Sequence, residues 1–400
     1  MITLSSKRPR RHAPIPQTVW ALGFVSLFMD VSSEIVHSLL PLFLTTTLGL
    51  SVALVGLVDG VAESTASIVK IFSGFISDRM RRRKPLILIG YGLGALSKPF
   101  FPLAGGLALV LGARFADRIG KGIRGAPRDA LVADVTPEAI RGRAYGLRQS
   151  LDTVGAFLGP LLAIALMYLF VNDMRAVFWV AVVPAGLAVL LVIFGVQDRD
   201  RDHDDKKAHA PIRFNDLTRL DATFWTVVAI GSVFTLARFS EAFLILKASA
   251  DGLPLALAPL VLVVMNIVYA IGAYPAGALS DNFSTSRLLL LGAATLVAAD
   301  LLLAFSASLV GTFAGIALWG VHMALTQGLF AKLVAQHAPE ALRGSAFGLF
   351  NLVTGVALLF ASVIAGLLWD YFGPAATFLA GASFATVAGV MVLGGLRKLE

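Results

Sequence analysis

Cysteine is absent from the 400-residue chain, and charged residues supply only 14% of it. The first absence excludes structural disulfides and thiolate chemistry. The second falls far below the roughly one quarter typical of a soluble domain. With 57% of residues hydrophobic, the chain reads as an integral membrane protein and not as a soluble enzyme with a large core. Signatures of hydrolysis and nucleotide use are missing as well: there is no His-Glu-x-x-His, no Gly-x-Ser-x-Gly and no Walker loop. The glycine-rich GYGLG at 90–94 lies inside an apolar segment with no βαβ unit behind it. These gaps disfavour a membrane-embedded enzyme and a nucleotide-driven pump. A sensor is disfavoured because no effector domain is visible. The N-terminus, MITLSSKRPRRHAPIPQ, lacks the apolar core and cleavage site of a signal peptide and reads as a retained basic tail.

What is present is long apolar segments. A helix needs about 20 apolar residues to cross the bilayer core. Twelve segments qualify, at roughly 18–46, 51–76, 85–103, 105–125, 143–169, 175–196, 223–247, 253–279, 287–306, 308–335, 345–369 and 374–395. The expected fold is all-α, with twelve transmembrane helices in two pseudo-symmetric six-helix bundles. The N-terminal bundle spans 18–196 and the C-terminal one 223–400, after a basic tail at 1–17. Between the bundles, 197–222 is highly charged and poor in large apolar side chains, so it reads as a linker. Its histidines and aspartates fit a solvated linker better than a metal tract. The halves repeat: PEAIRGRAYGL at 137–147 returns as PEALRGSAFGL at 339–349, and GFISD at 74–78 as GALSD at 277–281. A looser echo pairs SSE at 32–34 with FSE at 239–241. A parallel repeat of six helices is an architecture of secondary transporters.

The net charge of +8 comes from lysines and arginines gathered in one set of loops. They are Lys7, Arg8, Arg10 and Arg11 in the tail, Arg79, Arg81, Arg82, Arg83 and Lys84 after the second segment, and Arg128, Arg141 and Arg143 after the fourth. The opposite loops are nearly free of cations, Arg175 being the main exception. This asymmetry predicts both termini in the cytoplasm of a multi-pass protein, most simply in a bacterial cytoplasmic membrane. It also accounts for the basic balance without nucleic acid.

The charges inside the apolar segments carry the functional signal. A charge at mid-membrane costs about 2.5–3.5 kcal/mol on the insertion scale, so it should face a protein interior or a cavity. In MDVSSEIVHSLL, 29–40, Asp30, Glu34 and His37 fall within about 60° of one another on a helix. The fourth segment carries Arg114, Asp117, Arg118 and Lys121 within about 100°. The second has Asp59 and Glu63, and the fifth Arg148 and Asp152. The second half holds Arg238, Glu241, Asn266, Tyr269 and His322. Blander readings stand beside these. Lys70, Lys98 and Lys247 lie toward segment ends and are expected to snorkel to the interface. Arg148 and His37 suit interfacial positions, Arg114 and Asp117 a structural pair, and His322 a satisfied interior histidine. Asp30, Glu34 and His37 also offer oxygen and nitrogen ligands, which keeps transport of a metal ion or metal chelate open. Three ligands on one helix rarely close a site alone, and no resident metal site is expected.

GFISDRMRRRKPL, beginning at Gly74, resembles the helix-two-to-three signature of the major facilitator superfamily, and the resemblance extends over essentially the whole chain. Gly74, Asp78, Arg79, Arg82, Arg83 and Lys84 match, and Arg81 stands where the family usually has glycine. RIGKGIRGAP, 118–127, resembles the helix-four signature of proton-coupled members through Arg118 and Gly122. GAFLGPLLA, 155–163, resembles the helix-five signature of antiporters through Gly155, Gly159 and Pro160, with Ala163 in place of the last glycine. The resemblance implies a secondary transporter working by alternating access. Export of a small molecule by proton antiport is the expected mode, with the proton gradient as sole energy source and no cofactor. The partners expected are substrate, protons and lipid, and the chain is expected to act as a monomer. Asp78, with Gly277 and Asp281 as repeat copies of Gly74 and Asp78, is expected to form a cytoplasmic latch. Gly155, Gly159 and Pro160 are expected to let helix five pivot, Pro160 by removing a backbone donor.

Overall fold

The computed structural model describes residues 14–80, 82–198, 220–339 and 342–399, and among them there is no strand. The α-helices are α1 (Gln17–Leu42), α2 (Val52–Arg79), α3 (Lys84–Ser97), α4 (Phe100–Leu103), α5 (Leu107–Val135), α6 (Arg141–Leu169) and α7 (Met174–Gly195). After the linker come α8 (Ala222–Ala237), α9 (Ala242–Ala250), α10 (Leu260–Asn282), α11 (Thr285–Phe305), α12 (Leu309–His337), α13 (Arg343–Phe372) and α14 (Pro374–Leu399). The pairs α3–α4 and α8–α9 each make one span, so the chain crosses the membrane twelve times. Eleven of these spans are long and apolar enough on their own. The twelfth, α5, holds Arg114, Asp117, Arg118, Lys121 and Arg124 and is packed between α2 and α3. Large apolar side chains cover the outside of the bundle, Phe194 at 81% and Ile271 at 72% exposure, as a lipid-facing surface requires. The tail expected at 1–17 and the linker at 197–222 lie mostly outside the described residues, as does Arg81.

Two helices depart from the boundaries the sequence suggests. Helix α5 runs to Val135, about three turns past the apolar segment, because its polar end still packs within the protein. The seventh span is broken at 238–241. There Ser240 Oγ accepts the Ala242 amide at 3.1 Å and donates to Asp59 Oδ2 of α2 at 2.7 Å. The hydroxyl thus serves the first turn of α9 and reaches the other half of the molecule.

The bundle has two faces. The basic face bears the α2–α3 turn and the described ends of the chain, and the far face bears the α1–α2 turn at 48–51. Toward the far face one apolar core draws on both halves, with Val31, Leu39 and Phe178 packed alongside Phe239, Phe243 and Trp319. Toward the basic face each half keeps its own core, around Val19, Met29 and Tyr91 in the first and Phe224, Phe234 and Leu333 in the second. The seam at the far face is formed by α2 and α13. Asp370 of α13 accepts the amides of Val52 at 3.0 Å and Ala53 at 2.8 Å, placing an anion at the N-terminus of α2.

Glycine makes that seam tight. A Cβ at Gly56 would run into the Ser362 carbonyl oxygen, and one at Gly366 would stand 2.6 Å from Ala53 Cα. Gly56→Ala is therefore expected to part α2 from α13 at the far face. Because the chain has no cysteine, a single Ala53→Cys reports the seam directly. Maleimide labelling from the far side should rise at least about tenfold in the Gly56→Ala background, as expected for a shifted conformational population. Unchanged labelling would mean that the backbone gives way locally instead.

Candidate functional site

Most charged side chains found in the apolar segments converge in the first half. Lys98, at the kink between α3 and α4, places Nζ 2.8 Å from Asp117 Oδ1 and 3.0 Å from Ser33 Oγ of α1. Asp117 Oδ2 lies 3.8 Å from Arg118 Nε, and Arg118 reaches Glu63 at 3.2 Å. Arg114 reaches Asp59 at 3.4 Å and Glu63 at 3.9 Å, and donates to His37 Nδ1 at 2.8 Å. Asp59 in turn accepts Ser240 of the second half. A continuous chain of ions thus runs from α3 through α5 and α2 to the break between α8 and α9. Lys98, Arg114, Asp117, Arg118 and Asp59 are each at most 4% exposed. Buried charges persist in this way only when each finds an opposite charge or a hydrogen bond.

A second cluster lies nearer the basic face, where α1, α5 and α6 meet. Asp30 of α1 packs against α6 at Gly155, which brings its carboxyl group beside that of Asp152. Arg128 and Arg148 each stand 3.6 Å from Asp152, and Arg128 also donates to Ser26 Oγ at 2.8 Å. Asp129 joins through Arg128 at 3.2 Å and Arg148 at 3.7 Å. Glycine brings the helices together here. A Cβ at Gly155 would meet Leu27 O at 2.5 Å and Asp30 Cβ at 3.1 Å, and one at Gly159 would meet Glu34 Cβ at 2.5 Å. Asp30 follows Met29 of the first half's own core and precedes Val31 of the shared core. The pair therefore marks the level at which the halves begin to join.

The acids of MDVSSEIVHSLL do not converge on one point. Asp30 meets Asp152, His37 meets Arg114, and Glu34 lies against Gly159. Among the described residues no group of three His, Cys, Asp or Glu is placed to hold a metal. Arg114 and Asp117 do not pair with each other, because each has a nearer opposite charge on another helix. Lys98 and Lys247 do not snorkel. They are 1% and 5% exposed, and Lys247 pairs with Asp251 at 2.7 Å. Only Lys70 of the three is exposed.

In the second half, Arg238 and Glu241 flank the α8–α9 break, and Asn266 and Tyr269 are half-buried on α10. His322 is buried, with Nδ1 2.8 Å from the Gly292 carbonyl and its ring stacked on Phe234. Its Nε2 has no hydrogen-bond partner. At the basic face Arg83 is the hub. It binds Asp78 at 3.2 Å, Asp134 at 2.7 Å and Ser77 Oγ, tying α2 to α5 within the first half. Arg79 lies over the Phe75 ring, and Gly74 faces Ala126 of α5. Gly277 and Asp281 lie on α10, and their side chains are outside the described set.

Sequence reasoning missed Ser33, Arg128, Asp129, Ser240 and Asp300 as site residues. Arg128, expected in the loop after the fourth segment, lies instead within α5 together with Asp129, because that helix runs on to Val135. Ser33 and Ser240 carry no signal beyond their place beside Glu34 and Glu241 in the echoed SSE and FSE.

The model of the Major Facilitator Superfamily matches residues 22–265 and 239–399. An uncharacterised MFS-type transporter of Methanocaldococcus jannaschii is 32% identical over 391 residues, 95% of each chain. The multidrug resistance protein MdtH of Proteus mirabilis is 31% identical over 173 residues, 43% of this chain and 39% of its own. Among solved structures, a bacterial homolog of the human lysosomal transporter Spinster superposes with a TM-score of 0.75 at 16% identity, covering 95% of this chain and 96% of its own. A match that takes in both halves, and a relative aligned along nearly the whole length, place the chain in the Major Facilitator Superfamily of transporters.

Proposed function

We propose that the protein is a proton-coupled antiporter that exports a small organic molecule, with its basic face in the cytoplasm and its two six-helix halves joined by the linker at 197–222. The observation that carries this reading is the Asp30–Asp152 contact between α1 and α6. Two carboxyl groups brought side by side inside the protein resist both being ionised, so the pair favours keeping one proton. Arg128 and Arg148 stand by to stabilise the charge once that proton leaves. Alternating access moves the pair between the two aqueous phases, so proton and substrate exchange in turn. The shared core at the far face suits a state closed to the exterior. Export of an organic molecule draws support from the relative named for multidrug resistance. Transport of a metal ion fits less well, because the ligands it would use on α1 are directed to separate partners.

The test is transport by the purified protein in liposomes under an imposed pH gradient, with a panel of organic cations, anions and neutral dyes. Proton flux tied to uphill movement of one of them is the expected result. Uphill transport driven by sodium alone, or dependence on a divalent metal without proton flux, overturns the reading. A reporter fused after Glu400 checks orientation and is expected in the cytoplasm.

The Arg83 hub at the basic face is expected to be needed for the cycle more than for the fold. Asp78→Asn leaves Arg83 held by Asp134 at 2.7 Å, so stability should change by no more than about 1 kcal/mol, as for other half-exposed pairs. Liposome transport should nevertheless fall severalfold, because the turn that carries the signature loses one of its two anchors. Transport equal to that of the unmodified chain would reduce the basic run to a topology signal.

A further inference from the structure

Asp300 belongs to neither cluster. It lies on α11, within two turns of that helix's far-face end, and is fully buried. Neither carboxyl oxygen has a hydrogen-bond partner, and no ion pair reaches it among the described residues. Gly381 of α14 faces it so closely that a Cβ there would stand 2.6 Å from Asp300 Oδ2. The same Cβ would stand 3.0 Å from Cε1 of Phe239, so the carboxyl group and the Phe239 ring border the same glycine. Phe239 belongs to the α8–α9 break and is packed in an aromatic cluster with Phe243, Trp319 and Phe378, at centroid distances of 5.3, 5.4 and 5.6 Å. The next residue, Ser240, is held by Asp59 of the other half. The ring beside Asp300 is therefore attached to the contact that joins the halves.

A bare carboxylate with no donor and no cation is the form such surroundings least tolerate, and the neutral acid is the form they accept. The titratable groups on the packed elements leave it so. On α12, His322 is bonded to Gly292, two turns away along α11. At the break Arg238 and Glu241 make no bond to Asp300, and on α9 Lys247 is held by Asp251 and the Ser306 carbonyl. Beside Asp300, α14 supplies glycine, alanine and phenylalanine. We propose that Asp300 is a second proton-binding site, located in the C-terminal half, whose proton exchanges with water only when the far-face seam parts and draws Phe239 away. This holds whether or not Asp30 and Asp152 couple transport, and it can be read without a transport assay.

Infrared difference spectroscopy on the full-length protein in lipid vesicles, transferred from H2O to D2O, tests both parts. The wild-type spectrum should contain a protonated-carboxyl C=O band that is lost in Asp300→Asn. Asp300→Glu should shift the band without abolishing it, which guards against a variant that simply misfolds. The seam can be locked nearer its far-face end with Gly60→Cys and Leu359→Cys, because a Cβ built at Gly60 stands 3.1 Å from Leu359 Cα, within reach of a disulfide. Oxidation should slow the isotopic shift of the Asp300 band at least about tenfold, and reduction should restore it, as expected for exchange through an opening step. Phe239→Ala should speed the exchange even in the locked protein. A spectrum unchanged in Asp300→Asn overturns the proton site. Exchange rates equal in the oxidised and reduced proteins overturn its control by the seam.

Discussion

Lys98→Met is expected to lower the unfolding free energy of the purified protein by about 3–5 kcal/mol, the range found when one partner of a buried ion pair is removed. Lys98 is 1% exposed and its ammonium group has two partners, Asp117 at 2.8 Å and Ser33 at 3.0 Å. Methionine keeps the length and loses the charge. Among the described residues the ion-pair partner left within 4 Å of Asp117 is then Arg118, at 3.8 Å, and Arg118 is already shared with Glu63. The penalty comes from stranding a buried carboxylate, not from losing a strong bond. The double variant Lys98→Met with Asp117→Leu should therefore recover most of the loss. Chemical denaturation of the two single variants and the double, read as a cycle, measures this. A single-variant loss below about 1 kcal/mol would show that water reaches Asp117.

The second large effect concerns transport. Asp30→Asn and Asp152→Asn should each abolish accumulation against a gradient. For one proton exchanged per substrate, each pH unit supports about a tenfold concentration ratio. That ratio should collapse to about one in either variant, while downhill exchange persists. Asparagine keeps the size of the side chain and cannot gain or lose the proton, so packing between α1 and α6 is preserved and the proposed titratable step is lost. The two variants should behave alike, which separates a shared proton from a role of Asp30 alone. If both still accumulate substrate with unchanged pH dependence, coupling resides in the chain of ions through Asp59 and Glu63.

The internal repeat was legible because its two copies keep closely similar residues at 137–147 and 339–349, and eleven of the twelve spans because the bilayer imposes them on composition. The membrane charges announced themselves for the same reason, since only an interior position tolerates them. Their pairings were not legible. Asp117 finds Lys98 on α3 and not Arg114 on its own helix, which only the approach of α3 to α5 decides. Lys98 looked like a helix-end residue because 85–103 read as one segment, and the kink at Pro99 places it inside. The break at Arg238–Glu241 contains no proline or glycine. It depends on Ser240 reaching Asp59, 181 residues earlier in the chain. Asp300 passed unnoticed as a single acid near a helix end, and its isolation is created by Gly381 on another helix.

Helix α5 bears on how the chain is made. It is the one span whose own composition does not pass the test for crossing a membrane. At about 2.5–3.5 kcal/mol for each charge near the bilayer centre, the insertion machinery should not release it into lipid alone. Its charges are matched by Asp59 and Glu63 of α2 and by Lys98 beside α3, all synthesised earlier. The helices already made therefore serve as the solvent for the fourth, which enters the bilayer as part of an assembled unit. Insertion of the first four spans is therefore expected to be cooperative, with these salt bridges forming as α5 enters the membrane.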